Sequence, residues 1–474
     1  MRDRGSARQR GALRTRAGHM RAPSSHTSAP LELTASVRRL PVSATLRMNE
    51  LVAARRAEGR ETIALGFGEA SFPLPPQIKA ALAAGATSTA YPPVLGLPAL
   101  REAIAGYVHR TRGLDVASDQ VAVGPGSKPM IYLMLQALEG DVLIPVPSWV
   151  SYAPQARLAG KRVIPVATDP DDHTRLTVDA LRGAYARARH DGASPRLLIV
   201  NSPNNPTGGM LAENDVAAVA AWARQEGVTI IGDEIYAELA HGWRAHVSPA
   251  RFYPEGAILT SSMSKAYSAG GWRLGYAVVP PGAAGQKLLS AMRALASEIW
   301  SGASGPMQVA ALTAYHPDSD IERYVRRAAA LHAYATGRLH AALVQSGARC
   351  PRPAGGFYVY PDFAPWREKL AARGVTTGME LASHLLTDWG VATLPASEFG
   401  EASDVLRLRL ATSRLFEPEE AVSAQERETW LWQLLERADD TLALSPDAAP
   451  ASAPRLPALD RAIQRLGEFT ASLG

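Results

Sequence analysis

The stretch LLIVNSPNNPTGGMLAENDVAAVAAWARQEGVTIIGDEIY, Leu197–Tyr236, changes its periodicity twice. LLIV is a short apolar run of strand length. The Asn and Pro residues of NSPNNPTGG, Asn201–Gly209, force a turn. DVAAVAAWARQEG then has helical spacing, and VTII is a second strand-length run that stops at GDEIY. Strand, helix and strand in succession make the unit of a parallel sheet. Working outward, QVAVG, GDVLIPVP, RVIPVA, AILTSS and GYAVVP repeat the apolar signal, with helical stretches such as MIYLMLQALE between them. The alternation predicts an α/β layered fold with a largely parallel sheet. In such sheets functional groups collect on loops at the carboxyl ends of strands.

The flanks differ. Residues 1–34 are rich in Arg, Ser, Ala and Pro without apolar periodicity and read as a disordered basic extension. NELVAARRAEG is helical and ETIALGFGEA is a strand running into a glycine turn. After residue 283 long helical patterns dominate, followed by strand-like GGFYVYPDF and DVLRLRLAT among further helices, which predicts a second, smaller α/β domain. SPDAAPASAPRLP, 445–457, is a Pro/Ala linker, and ALDRAIQRLGEFTASL after it is an amphipathic helix that could cap a dimer or bind a partner.

Composition narrows the function. The chain has 474 residues and a net charge of +5. Seven arginines against Asp3 give residues 1–22 a charge of +6, so the remainder sums to −1 and does not suggest a nucleic-acid-binding body. The basic segment is read as a tail, or as codons upstream of a true start at Met20 or later, in preference to an organellar presequence. It lacks the apolar region of a secretory signal. One cysteine, Cys350, excludes an internal disulfide and fits a reducing, cytoplasmic compartment. No apolar run is long enough to span a membrane, and the histidines show no metal-ligand spacing.

The chemistry centres on SSMSKAYSAGGWRLGY, Ser261–Tyr276. Lys265, one of six lysines, follows the predicted strand AILTSS. A lysine amine is what an aldehyde cofactor requires for a Schiff base. Ser262, Ser264 and Arg273 nearby suit a phosphate. The plainer alternative is a solvated loop lysine beside a Gly-Gly turn. Asn205, after LLIV, could donate to a ring oxygen. Asp233, after VTII, could pair with a protonated ring nitrogen, and Tyr236 could donate to the ring oxygen. Taken singly, NSPNNPTGG is as readily a plain loop, and GDEIY reads first as a strand-end turn. GPGSKPMIYLML opens a helix with glycines, a cradle for phosphate.

Together these motifs resemble the class I/II aminotransferase family of fold-type I pyridoxal phosphate (PLP) enzymes, which includes aspartate and aromatic aminotransferases. The resemblance runs from about Val37 to about Ala438. It implies a large domain with a mainly parallel seven-stranded sheet flanked by helices, plus a smaller α/β domain. The implied division is 35–75 packing with the small domain, 76–325 as the PLP-binding domain, 326–440 as the small domain, and 441–474 as linker and terminal helix. It implies that Lys265 carries PLP, that Asp233 pairs with the pyridine nitrogen, and that Asn205 and Tyr236 hold the ring oxygen. Trp149 in VPSWVSY would stack on the ring. Ser127 and Lys128 would offer backbone amides to the phosphate, joined by Ser262 and Arg273. Tyr91 in AYPPVLGLPALREA would reach the phosphate of a partner subunit, which implies a homodimer. Arg407, preferred to Arg409 in LRLRLATS, would bind the substrate carboxylate, with Gly68, Trp149 and Asn205 beside it.

The implied activity is transfer of an amino group from an L-amino acid to a 2-oxo acid. Elimination or cyclisation on the same scaffold is the alternative, and a non-catalytic regulator a weaker one. SEIWSGASGPMQ has no basic residue, which weakens a dicarboxylate preference without excluding it, and Trp300 within it could equally line an apolar or aromatic side-chain pocket or pack in the core.

Overall fold

The apolar runs fold as strands because both of their faces are covered. The computed structural model describes residues 31–38, 40, 42–169, 175–242, 244–418, 422–438 and 453–474. Most of the expected basic extension and of the Pro/Ala linker lies outside the described residues. Pro41–Gly474 form one compact unit.

Strand β1 (Ile63–Ala64) belongs to a small pair. The next seven build the main sheet: β2 (Val121–Gly124), β3 (Asp141–Val146), β4 (Val163–Ala167), β5 (Pro195–Asn201), β6 (Thr229–Asp233), β7 (Ala257–Ser262) and β8 (Gly275–Val278). Their order is β2-β8-β7-β6-β5-β3-β4. The pairs from β4 through β7 are parallel, and β8 runs antiparallel to both of its neighbours. Alternate residues serve opposite layers. Ile199, Ile231 and Ile258 pack beneath helices Ser127–Ala137 and Gly282–Ile299. Leu198, Val200 and Ile230 pack beneath Val178–His190 and Glu213–Glu226. The register places Asn201 opposite Asp233 and Asp233 opposite Thr260. The carboxyl ends of β5, β6 and β7 therefore deliver their loops to one place.

The shorter strands β9 (Tyr358–Val359), β10 (Val391–Ala392), β11 (Leu394–Pro395) and β12 (Leu408–Ala411) follow. β1 pairs in parallel with β10, and β12 lies antiparallel between β11 and β9. The 27-residue helix Ser319–Gln345 packs Leu331, Leu339 and Leu343 into the same cluster as Leu408 and Leu410 of β12. Helix Pro457–Ser472 completes that cluster with Leu459, Ala462, Leu466 and Phe469, and Asp460 pairs with Arg338 at 2.9 Å. The terminal helix does not keep its apolar face for a partner, because that face is buried in its own chain.

Candidate active site

A cleft of about 300 Å³ opens over the carboxyl ends of β5, β6 and β7. At one end the chain turns through Gly126, at φ +102°, into helix Ser127–Ala137. The first amides of that helix have no intrahelical partner. Gly275 presses on the same turn: a Cβ there would lie 2.6 Å from the Ser127 nitrogen. Arg273 Nη1 donates to the Gly270 carbonyl at 2.7 Å. Ser127, Lys128, Ser264 and Arg273 line this end. Ser262 sits one layer behind, where its Oγ accepts from the Ser264 N–H at 3.1 Å.

In the middle, Lys265 Nζ donates to the Gly68 carbonyl at 2.7 Å. Burial lowers its pKa to about 8; Glu69 opposes the shift, and Arg409 and Arg273 add to it. Asp233 is 3% exposed at the end of β6. Burial raises its carboxyl to about 6, against the hydrogen bond from Tyr152 Oη to Oδ2 at 2.5 Å. Glu234 points the other way along the strand, toward Arg112 and His246 at 2.9 and 3.0 Å. Burial alone would raise its pKa, but His246, Arg112 and the hydrogen bond from Ser248 hold it down to about 2. Of the DE pair, only Asp233 lines the cleft. Trp149 stands edge-on to Tyr152 at 5.2 Å, with Lys128 Nζ 4.9 Å from its ring centre.

The far end is closed by Arg409. Its guanidinium lies between the rings of Tyr358 and Phe399, at 4.8 and 5.1 Å. Nη1 donates to Asn205 Oδ1 at 3.1 Å and Nη2 to the Gly66 carbonyl at 2.6 Å. With its oxygen taken, Asn205 has its amide nitrogen left to donate.

The model of the family described as aminotransferase class I and II matches residues 60–424. An aspartate aminotransferase of Geobacillus stearothermophilus is 36% identical over 81% of this chain and 95% of its own length. The chain belongs to the class I and II aminotransferases. That of Bacillus subtilis is 31% identical over 81% and 95% of the two chains. Among solved structures, the aspartate aminotransferase of Thermus thermophilus with maleate superposes with a TM-score of 0.73, at 30% identity, over 86% of this chain and 98% of that one. The aromatic aminotransferase of Pyrococcus horikoshii gives 0.67 at 27% identity, over 83% and 98%.

Members of this family use PLP, and the donor set of this aminotransferase fits it. A buried carboxyl group, a lysine whose pKa burial lowers to about 8, and a helix start shaped by glycines that a Cβ would fill are the groups such a cofactor needs. The structure brings Lys265, Asp233, Tyr236, Asn205, Trp149, Ser127, Lys128, Arg273 and Gly68 to one cleft. Tyr91 stands 92% exposed and does not line the cleft of its own chain.

The structure does not bring Arg407, the preferred carboxylate ligand, to the cleft. Arg407 pairs with Glu401 at 2.6 Å and Asp362 at 3.1 Å and does not line the cleft; Arg409 does. Trp300 also lies elsewhere, packed against the cluster that holds Met130. Three contributors received no role from the sequence, although Tyr152 lies in VPSWVSY, Asn201 in NSPNNPTGG and Tyr358 in GGFYVYPDF. Tyr152 bonds Asp233, Tyr358 bonds Tyr236 at 2.8 Å, and Asn201 accepts from the Asn205 N–H and donates to the Asp233 carbonyl. Asn201 alone could have been suspected, as a polar residue closing an apolar strand. Among the described residues no group of acidic, His or Cys side chains could hold a metal, and no helix is long and apolar enough to cross a membrane.

Proposed function

We propose that this aminotransferase binds PLP on Lys265 and exchanges amino groups between dicarboxylic L-amino acids and 2-oxo acids, as a cytoplasmic homodimer. The observation that carries the reading is Lys265 Nζ at the Gly68 carbonyl, in one cleft with Asp233 and Arg409. PLP, when bound, supplies the electron sink for the charge that develops at the substrate α-carbon.

The chain's own groups do the rest. Asp233 holds a positive charge at the pyridine nitrogen, which offsets the cost of its own burial. Ser127, Lys128, Ser262 and Arg273 would hold the phosphate, with Ser264 beside them on the cleft wall, and Trp149 would cover the ring face. Tyr236 Oη and Asn205 Nδ2 donate to the ring oxygen. Arg409 holds the α-carboxylate by a two-pronged contact, and the Asn205 and Gly66 bonds keep it oriented. Lys265 Nζ, with its pKa lowered toward neutrality by burial, takes a proton from the α-carbon and returns it on the far side of the transfer. Support for a dicarboxylic substrate is a further cation on the wall, Lys128, and the aspartate aminotransferases among the relatives. Tyr91, exposed on its own chain, would reach the phosphate of the partner subunit.

The test is absorbance of the purified holoenzyme with a panel of amino acids. Aspartate and glutamate should bleach the lysine-bound cofactor and leave their oxo acids; Lys265→Ala should not respond. Bleaching by aromatic donors alone would refute the dicarboxylate reading. Release of ammonia with the lysine-bound absorbance retained would move the chain to elimination chemistry, in which the nitrogen leaves as ammonia beside the oxo acid and is not kept on the cofactor.

A further inference from the structure

Tyr358 is buried between the two ends of the cleft, and it received no role from the sequence. Its hydroxyl lies 2.8 Å from Tyr236 Oη, and its ring face lies 4.8 Å from the Arg409 guanidinium. Gly68 clamps it: a Cβ there would fall 2.1 Å from the Tyr358 hydroxyl, so the close approach requires glycine. Gly68 is also the residue whose carbonyl receives Lys265. We propose that Tyr358 is a positioning residue that couples the carboxylate-binding arginine to the ring-oxygen tyrosine, its hydroxyl orienting Tyr236 and its ring holding Arg409. The inference rests on the reading that Tyr236 faces the cofactor's ring oxygen.

A phenol has one proton to give. If Tyr236 spends its proton on the ring oxygen, the bond between the two tyrosines must be donated by Tyr358. A donor that itself accepts a hydrogen bond is strengthened. Tyr358 therefore makes Tyr236 a better donor and fixes its direction, while its negative ring face steadies the cation beside it.

The holoenzyme separates the two roles. A donor to the ring oxygen favours the form in which that oxygen is anionic and the adjoining lysine-bound nitrogen carries no proton. Weakening it raises the pH at which the absorbance changes. Tyr358→Phe keeps the ring and should raise that pH with KM for aspartate unchanged. Tyr236→Phe should raise it further. Tyr358→Leu loses the ring as well, and KM should rise about fivefold or more, the scale of a lost cation–π contact. Gly68→Ala should shift the titration as Tyr358→Phe does, and the double variant should shift no further. A Tyr358→Phe titration equal to wild type, beside a shifted Tyr236→Phe, overturns the proposal. If neither variant shifts, Tyr236 is not at the ring oxygen and the underlying reading fails.

Discussion

Arg409 is a buried cation with no carboxylate against it among the described residues; its bonds go to an amide and a backbone carbonyl. Burial lowers its pKa, the sign of a charge short of its counter-ion. A substrate carboxylate would supply the missing charge, while Arg407 already has two acids. Arg409→Leu should therefore lower kcat/KM by roughly 10- to 150-fold, the worth of a charged hydrogen bond. Arg407→Leu should leave KM near wild type and cost about 2 kcal/mol of stability, the scale of lost hydrogen bonds to charged groups. Steady-state kinetics and urea titrations decide it; a KM defect confined to the Arg407 variant would restore the first assignment. Asp233 gives a pH dependence of known sign. Its carboxyl, raised to about 6 by burial, holds a proton in the folded apoprotein that the unfolded chain releases near 3.9. Between those values the folded state binds more protons, so this group's contribution to stability falls as pH rises from about 4 to about 6, by at most about 3 kcal/mol. Urea titrations of the apoprotein across that window should show the loss, and Asp233→Asn should remove it. An unchanged slope in the variant would mean that Asp233 does not carry the shift.

Elements were legible where they depend on local pattern. The runs in QVAVG, LLIVNSP, VTIIGDE and AILTSS each fold as a strand of the main sheet, because a strand covered on both faces leaves a continuous apolar signature. Their carboxyl ends and the turns after them carry Asn205, Asp233 and Lys265 to the cleft for the same reason. What could not be read depends on partners distant in sequence. Arg407 and Arg409 sit two apart, and only the position of Asp362 and Glu401 separates their fates. Tyr358 and Tyr152 gain meaning through hydroxyl contacts across more than 80 residues. The terminal helix shows its amphipathic face in the sequence, but not that its own chain covers it. That face includes Leu459 and Phe469, both fully buried, which predicts a structural element. Leu459→Ala should cost about 2–5 kcal/mol, read by denaturant titration. Removal of residues 453–474 should expose apolar surface and lower the thermal midpoint by well over 5 °C. A truncated chain as stable as the full one would show that the helix contributes nothing to the fold.

At the scale of the whole molecule, the residue that remains unexplained within one chain is Tyr91. A tyrosine 92% exposed costs apolar surface, and it sits ahead of helix Pro98–Arg112 with no role in its own cleft. A homodimer with shared sites gives it one, and mixing variants tests that arrangement without any assumption about affinity. Take one protomer with Lys265→Ala and another with Tyr91→Ala. The first homodimer should be inactive and the second impaired. In a hybrid, the protomer that keeps Lys265 would receive Tyr91 from its neighbour, so each hybrid would hold one intact site and one doubly defective site. Co-expression of the two, with separate affinity tags to isolate hybrids, should restore about half of the wild-type activity per dimer. If Tyr91 served its own chain, the only lysine-bearing site would lack it, and the hybrid would show no more than half the activity of the Tyr91→Ala homodimer. A protein that is monomeric and fully active by sedimentation would end the proposal outright.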